Sequence, residues 1–367
     1  MKLFSFQANI RGETDAWVFN RVEFKDLNLI VGDSCSGKSR FLNTLFNIGR
    51  FVCSENMLYD SEWVMEFAIA GRVYTWEVEI GSQENEPFLK LEKLKVDGSC
   101  FVVEREGEQF RFNNNNLPKL MKNKSAITLL KEEDTIQPIY KAFQNIFRRN
   151  FSSNILYELF VSTQIQHNVD MTHLKETNPL WAVDIKNLNA KLYFLQNAFP
   201  DIYEDIIESM REVFPFIESC EIKLVPIQNG IQSLCFFIKE KNIDYPIPLP
   251  GCSSGLKKTL LFITDIKTLP EGALYLIDEY ENSLGVNAID YFPEILFDSS
   301  QHIQFIITSH HPYIINHIPV ENWLVFSRKG SVVDIRFGEA NKERYGYSKQ
   351  KKFIQLINDP FYKEGVA

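Results

Sequence analysis

One run of the sequence has the residue types and spacing needed to hold phosphate groups. It fits the pattern G-x-x-x-x-G-K-[ST] without a mismatch, and its residues are Gly32, Asp33, Ser34, Cys35, Ser36, Gly37, Lys38 and Ser39. In such a run the glycines let backbone N–H groups turn toward phosphate oxygens, the lysine reaches the β- and γ-phosphates, and the hydroxyl takes a Mg²⁺ position. A purely structural glycine-rich turn is the alternative. An apolar stretch before the run and a helical pattern after it favour a nucleoside triphosphate site, with Arg40 beside it.

An apolar stretch at 274–277 ends in two carboxylates, Asp278 and Glu279. A buried strand with an aspartate at its carboxyl end supplies the second Mg²⁺ ligand in phosphate-loop enzymes. The glutamate one residue later can orient and polarise an attacking water. A strand that simply exits into a solvated acidic turn is the alternative, and the matching phosphate loop in the same chain argues against it. We therefore expect Asp278 to bind metal and Glu279 to act as the catalytic base.

Two further segments flank this acidic pair. Upstream, Ser253, Ser254 and Gly255 form a turn that opens an apolar helix, where free N–H groups and hydroxyls provide an anion site. Downstream, His310 follows another apolar stretch, and a histidine at a strand tip can hydrogen-bond a γ-phosphate. A serine-rich helix cap and a surface histidine are the commoner meanings of such segments. Their order along the chain, relative to the phosphate loop and the acidic pair, favours a role at the nucleotide.

The hydrophobic pattern predicts the elements that must position these segments. Alternation of apolar and polar residues from 62 to about 112 predicts an antiparallel meander. Apolar residues at helical spacing predict mostly helix over 126–218, including 139–151 and 201–214. After residue 219 strands return, and helix then alternates with apolar strand as in a parallel α/β sheet. Further strands are predicted at Leu3–Ile10, Trp17–Phe24 and Leu27–Val31, and helices at Ser39–Ile48 and near Phe353–Ile357.

We expect these elements to form a single split head made of residues 1–115 and 219–340. The first part carries the phosphate loop and the meander, and the second carries the serine turn and the acidic strand. Residues 116–218 would form a helical insertion between the two parts, and residues 341–367 a basic C-terminal tail.

Composition excludes several classes of protein. The chain has 367 residues and a formal net charge of -9, which disfavours a protein that coats nucleic acid by bulk charge. Its six cysteines include no CxxC pair, which argues against a zinc knuckle or a disulfide framework. Apolar runs are far shorter than the ~20 residues that span a bilayer. The N-terminus lacks the apolar core of a signal peptide, so we expect a cytoplasmic protein without a membrane partner.

The motifs together resemble those of a known family. The serine turn reads SSGLKK at 253–258, the acidic strand reads IDEYEN at 277–282, and the histidine lies in TSHHPYII at 308–315. With the phosphate loop, these segments resemble an ABC-type ATPase head of the SMC/RecF/OLD-like group, the short-armed "AAA family ATPases" of prokaryotic defence loci. The resemblance implies an α/β fold, a P-loop NTPase of ABC-ATPase type with an antiparallel β subdomain and a helical insertion. Tyr280 stands where this family often has proline, and residues 283–286 depart from its usual D-loop.

The resemblance also implies ATP and Mg²⁺ as cofactors and a homodimer in which two heads sandwich two nucleotides. Ser253, Ser254 and Gly255 of one head would face the γ-phosphate held by the lysine of the other. The implied residues are Glu279, His310 and Lys38 for catalysis, and Ser39, Asp278 and a glutamine, either Gln164 or Gln166, for the metal.

Three hypotheses describe what the nucleotide drives. The first is regulation of a separately encoded effector, a nuclease or toxin, in prokaryotic antiviral defence. The second is a RecF-like DNA repair or recombination ATPase that acts directly on DNA, and the third is a slow-turnover, nucleotide-switched scaffold. Nucleic acid would have to contact local basic clusters, which are more often solvated faces. These clusters comprise Arg148, Arg149, Lys119, Lys122, Lys124, Lys342, Arg344, Lys349, Lys351 and Lys352.

Overall fold

The computed structural model describes residues 1–12, 16–54, 60–83, 86–118, 120–150, 187–226, 232–281, 284–345 and 352–363. It divides into two compact units. The first unit consists of Met1–Arg149, Glu271–Tyr280 and Leu296–Ala367, and the second consists of Asn150–Pro270 and Glu281–Ile295. Within the described residues, no helix has the length and apolar character needed to cross a lipid bilayer.

The strands and helices are numbered here in chain order. The strands are β1 Lys2–Arg11, β2 Ala16–Glu23, β3 Leu27–Gly32, β4 Ser61–Ile69, β5 Arg72–Gln83, β6 Glu86–Val96, β7 Cys100–Glu106, β8 Gln109–Phe112, β9 Asn115–Asn116, β10 Ile146–Asn150, β11 Ile217–Pro226, β12 Gln232–Glu240, β13 Ile247–Pro248, β14 Ala273–Asp278, β15 Ile303–Thr308, β16 Trp323–Lys329 and β17 Val332–Phe337. The helices are α1 Lys38–Ser54, α2 Ala126–Leu129, α3 Gln137–Gln144, α4 Leu188–Ala198, α5 Pro200–Val213, α6 Ser254–Thr268, α7 Val286–Ser299, α8 Pro312–His317, α9 Lys352–Asn358 and α10 Pro360–Lys363.

The first unit is built on a 14-stranded sheet with the order β10-β14-β15-β3-β16-β17-β2-β1-β4-β5-β6-β7-β8-β9. Strands β14, β15, β3 and β16 are parallel to one another, and every residue of β3, β14 and β15 is buried. Continuous apolar strands of this kind are typical of parallel sheets covered on both faces. The strands predicted near the N-terminus and the predicted helix after the phosphate loop are confirmed, the helix extending to Ser54.

The predicted antiparallel meander is also confirmed, as β4 to β8. Its first hairpin turns at Ala70 and Gly71, both with positive φ (49° and 79°), which matches the twist of the flanking strands. Trp76 of β5 packs edge-on against Trp63 of β4 and against Phe143 of α3, with ring centroids 5.5 Å and 5.1 Å apart. These rings belong to one buried cluster that reaches β3, α1 and β14. The meander and the phosphate-loop strand therefore share a core.

The helix predicted over 139–151 is wrong in its second half. Helix α3 ends at Gln144, and Ile146–Asn150 form the edge strand β10 beside β14. The N–H of Leu274 donates to the carbonyl of Asn145 at 2.9 Å, where the chain enters this strand. Pairing with a buried strand satisfies backbone groups, and this tertiary contact overrides the local helical periodicity.

The second unit contains α4, α5 and α6 with the three-stranded sheet β11-β12-β13. The helix predicted at 201–214 is confirmed as α5. A buried ion pair joins Lys191 of α4 to Asp265 of α6 at 3.5 Å. Phe262 of α6 and Phe292 of α7 pack with ring centroids 4.4 Å apart. These contacts fix the helix that begins at the serine turn.

Candidate phosphate-binding site

Three parallel strands of the first unit end at the same edge of the sheet. β15 lies between β14 and β3, with Ile307 opposite Ile277 and Thr308 opposite Ile30. Because the carboxyl ends of parallel strands meet at one edge, the segments that follow these strands are brought together. Those segments are the phosphate loop, the acidic pair and the histidine segment of the sequence analysis.

The phosphate loop needs both of its glycines for reasons of space and conformation. A Cβ on Gly32 would lie 2.6 Å from the Phe326 carbonyl oxygen. Gly37 has a φ of 95°, and a Cβ there would lie 2.8 Å from the ring of Trp17. Cys35, at the tip of the loop, also has a positive φ, 62°. These positive φ values lead into α1, which begins at Lys38, and a loop of this conformation can turn its N–H groups toward a phosphate.

Lys38 directs its ammonium group into this loop. Its side chain is buried, and Nζ donates to the carbonyls of Gly32 (2.9 Å) and Asp33 (2.8 Å) and to Ser36 Oγ (3.3 Å). The positive charge therefore lies where the sequence pattern expects phosphate groups.

Asp278 lies next to Ser39, the other predicted metal ligand. Its carboxylate is buried, and Oδ1 accepts hydrogen bonds from Ser39 Oγ at 3.0 Å and from Thr308 Oγ1 at 2.9 Å. Its Oδ2 lies 3.4 Å from Nη2 of Arg148, whose cation compensates the buried charge.

This pair of oxygen ligands suits Mg²⁺, which is bound by one or two carboxylates together with substrate phosphates. The described part of the chain contains no group of three or more His, Cys, Asp or Glu residues that could hold a metal. A carboxylate and a hydroxyl next to a phosphate loop nevertheless fit Mg²⁺. Gln164, the predicted third ligand, and Gln166 lie outside the described residues.

Glu279 differs sharply from its neighbour. It is exposed and has a φ of 50°, a left-handed conformation that costs a non-glycine residue on the order of 1–3 kcal/mol. Its N–H donates to Thr308 Oγ1 at 2.9 Å, and the next N–H, of Tyr280, donates to the Thr308 carbonyl at 3.1 Å. These bonds hold the turn that leaves one carboxylate buried and the next in solvent.

Thr308 is a site residue that the sequence analysis did not identify. Its hydroxyl donates to Asp278 and accepts from the Glu279 N–H, so it links the two carboxylate positions. One feature of the sequence could have identified Thr308. It is the last residue of an apolar strand and lies directly before the predicted histidine segment.

His310 is exposed and follows β15 by two residues, at the edge where the phosphate loop begins. Its neighbour His311 is the N-cap of α8, and the His311 N–H donates to Ser309 Oγ at 3.1 Å. The structure thus places His310 just beyond the end of β15, as predicted for a histidine at a strand tip, and its bond to a phosphate stays a prediction.

Two aromatic residues adjoin the phosphate loop without having been predicted. Trp17 contacts the loop at Gly37, and the guanidinium groups of Arg40 and Arg328 lie over its ring, 4.9 Å and 5.1 Å from the centroid. Tyr362 of α10 donates its hydroxyl to the Gly32 carbonyl at 3.3 Å. Burial, and then the charge of Asp33, raise the pKa of Tyr362, which keeps this hydroxyl protonated.

The serine turn lies in the second unit. Ser253 is the N-cap of α6, and its Oγ accepts from the Leu256 N–H at 3.3 Å. Ser253 and Ser254 are exposed, and Gly255 is partly buried in the first turn. This is the geometry of an ordinary serine-rich helix cap, the alternative given in the sequence analysis. It also leaves both serines accessible to an anion.

Several predicted basic cluster residues are paired with carboxylates. Arg148 contacts Asp278, Lys342 contacts Glu321 at 2.7 Å, and Arg344 contacts the buried Asp359 at 3.1 Å. Lys119, Lys349 and Lys351 lie outside the described residues. These ion pairs weaken the case for a nucleic-acid surface built from the clusters.

The chain matches a known protein family, and its fold is similar to that of solved structures. Residues 27–316 match the family model described as "AAA domain, putative AbiEii toxin, Type IV TA system". An SMC head bound to the C-winged helix domain of ScpA is similar, with 12% identity and a TM-score of 0.55, covering 94% of this chain and 100% of that chain. An SMC head with an extended coiled coil, bound to the C-terminal domain of ScpA derived from Pyrococcus furiosus, has 11% identity and a TM-score of 0.50, covering 93% and 98%. At these identities the likeness shows the fold alone.

A curated protein matches a smaller part of the chain. It is the UDP-N-acetylenolpyruvoylglucosamine reductase of Rickettsia prowazekii (strain Madrid E), 32% identical over 103 residues. The match spans 28% of this chain and 32% of the reductase, so it carries no conclusion about activity.

Proposed function

Because the chain belongs to the family described as "AAA domain, putative AbiEii toxin, Type IV TA system", we propose that it binds ATP with Mg²⁺ and hydrolyses the ATP. Its fold is that of an SMC-like ATPase head of ABC type. The strongest support for the proposal is the contact between Ser39 Oγ and Asp278 Oδ1 at 3.0 Å. It joins the phosphate loop to the acidic strand across a long stretch of sequence.

In the proposed reaction, the loop amides and Lys38 bind the β- and γ-phosphates and stabilise the charge that develops on them. Mg²⁺ held by Ser39 and Asp278 would add positive charge against the triphosphate. Glu279 accepts a proton from the attacking water, a role that its exposed position supports. His310 donates a hydrogen bond to the γ-phosphate.

The proposal extends to an ATP-dependent homodimer. Ser253, Ser254 and Gly255 of one chain would face the nucleotide held by the partner chain. The exposure of both serines and their place at a helix N-terminus support this role, because such a terminus stabilises an anion.

The output of the ATP cycle is proposed to be regulation of a separately encoded effector, a nuclease or toxin, in prokaryotic antiviral defence. The family description names a toxin–antitoxin system, and both similar SMC heads are described as bound to a domain of ScpA. The net charge of -9 favours a protein partner over nucleic acid. Direct action on DNA and a slow-turnover scaffold are the competing outcomes.

The enzymatic part of the proposal is tested with purified full-length variants. Glu279→Gln should retain binding of an ATP analogue, lose at least about a hundredfold in turnover and accumulate ATP-bound dimers in light scattering. Lys38→Ala should bind nucleotide poorly. Glu271→Gln is a matched control, because this glutamate of the first unit is largely exposed and lies outside the site. Wild-type turnover by Glu279→Gln would show that the assigned base is wrong, and a wild-type chain that binds no nucleotide would overturn the proposal.

The regulatory part is tested by co-purification with the product of the neighbouring gene, followed by mass spectrometry. We expect an effector that associates more strongly in ATP than in ADP. Strong stimulation of turnover by DNA would instead favour the RecF-like alternative. Nucleotide-dependent assembly with negligible hydrolysis would favour the scaffold.

A further inference from the structure

Arg148 makes a contact with the proposed metal ligand that the function described above does not use. It lies on the edge strand β10, next to β14. Its Nη2 is 3.4 Å from Asp278 Oδ2, and the two side chains are 20% and 3% exposed. The other oxygen of the carboxylate is already bonded to Ser39 and Thr308. The guanidinium therefore takes the remaining oxygen of this buried carboxylate.

The geometry of this ion pair makes it exchangeable. Strong arginine–carboxylate pairs are bidentate, with N···O distances of about 2.8 Å. Arg148 has one longer contact, and its Nε is buried without a hydrogen-bond partner among the described residues. A buried carboxylate without a cation would be costly, so the ion pair stabilises Asp278 as long as no metal is bound.

We propose that Arg148 is a positioning residue that occupies the charge position of the metal: it orients Asp278 before a metal binds, and it competes with Mg²⁺ for that carboxylate. This inference rests on the proposed Mg²⁺ and ATP site. Mg²⁺ contacts its oxygen ligands at about 2.0–2.1 Å. A guanidinium and a divalent cation repel each other strongly at such short range in a poorly solvated site. Loading of the metal therefore requires Arg148 to withdraw from Asp278.

The adjacent residue Arg149 supplies a matched control. It has the same charge on the same strand, and successive side chains of a strand point to opposite faces of the sheet. Replacing it changes the net charge equally without removing the contact to Asp278.

The experiment is a Mg²⁺ titration of the full chain in which the thermal unfolding midpoint is measured at each Mg²⁺ concentration. It is done once with Mg²⁺ alone and once with a non-hydrolysable ATP analogue also present. Arg148→Met should lower the half-saturating Mg²⁺ concentration at least about fivefold, the usual size of a coupling between two competing ligands. In EDTA, the thermal unfolding midpoint of Arg148→Met should be below that of the wild type. The difference between the two midpoints should become smaller as Mg²⁺ is added. Arg149→Met should match the wild type within about twofold in half-saturating Mg²⁺. Arg148→Gln keeps a donor for Asp278 while removing the charge, so it provides the same test if Arg148→Met does not fold.

An unchanged or higher half-saturating Mg²⁺ concentration in the Arg148 variants would overturn the inference. It would also be overturned if the difference in unfolding midpoint between these variants and the wild type did not change with Mg²⁺ concentration. A purely structural role predicts that constant difference. Failure of the proposed function gives a different result. If the ATP analogue did not change the unfolding midpoint of the wild type, the proposed ATP site would be wrong. The titration with Mg²⁺ alone would still decide the role of Arg148.

Discussion

The sheet edge of the first unit and the serine turn of the second unit both have geometries that suit an anion, but their side chains are engaged differently. At the sheet edge, Ser39 and Thr308 both donate hydrogen bonds to Asp278, although the three residues come from separate segments. At the serine turn, Ser253 bonds to the N–H of its own helix at Leu256. The sheet edge is thus assembled within one unit. The serine turn instead has exposed groups, which in the proposed dimer would contact the nucleotide bound by the partner chain. Nucleotide binding should depend on the first region, and the dimer on the second.

The largest expected effect comes from removing the charge at the sheet edge. Asp278→Asn keeps the shape of the side chain but leaves Mg²⁺ without its carboxylate. We expect ATP turnover to fall by about a hundredfold to a thousandfold, as when one preorganised charge-stabilising group is lost. Steady-state phosphate release measures the effect, and Asp298→Asn, an exposed carboxylate of α7, is the control. Near-normal turnover would show that the sheet edge is not where the metal binds.

An intermediate effect is expected at the serine turn. Ser254→Glu places a negative charge at the first helical position, where it suits the helix dipole but repels a phosphate. Folding stability should be unchanged or slightly higher, and binding of an ATP analogue to the monomer should be unaffected. ATP-dependent dimerisation should be lost, and turnover should fall roughly tenfold to a hundredfold. Ser254→Ala is the milder comparison, and normal dimers of the Glu variant in light scattering would refute the role of this turn.

The smallest effect is expected at Thr308, which links the two carboxylate positions. Thr308→Val removes the hydroxyl and leaves the Glu279 N–H without that acceptor. We expect a loss of about 1–3 kcal/mol in the free energy of unfolding and about a fivefold fall in turnover. Thr308→Ser keeps the hydroxyl and should restore most of both. Denaturant unfolding and phosphate release measure the two quantities, and equal behaviour of the Val and Ser variants would contradict this role.

Local signals in the sequence predicted much of the fold. Strand alternation identified the meander, because one face of each strand is buried and the other is solvated. The same reasoning failed over 139–151, where a helical pattern continues through Asn145 but the chain becomes an edge strand. Pairing with β14 decided that segment, and no periodicity within it encodes the partner.

By itself, the sequence determined the phosphate loop and the acidic pair as candidates, because residues of a loop or of one strand end are neighbours through their covalent spacing. The tertiary structure alone decided that Thr308, Arg148 and Tyr362 join them. Their approach depends on the strand order β10-β14-β15-β3 and on where the C-terminal helix packs. Strand order is fixed by the burial and backbone pairing of segments far apart in the chain, which no short window of sequence contains.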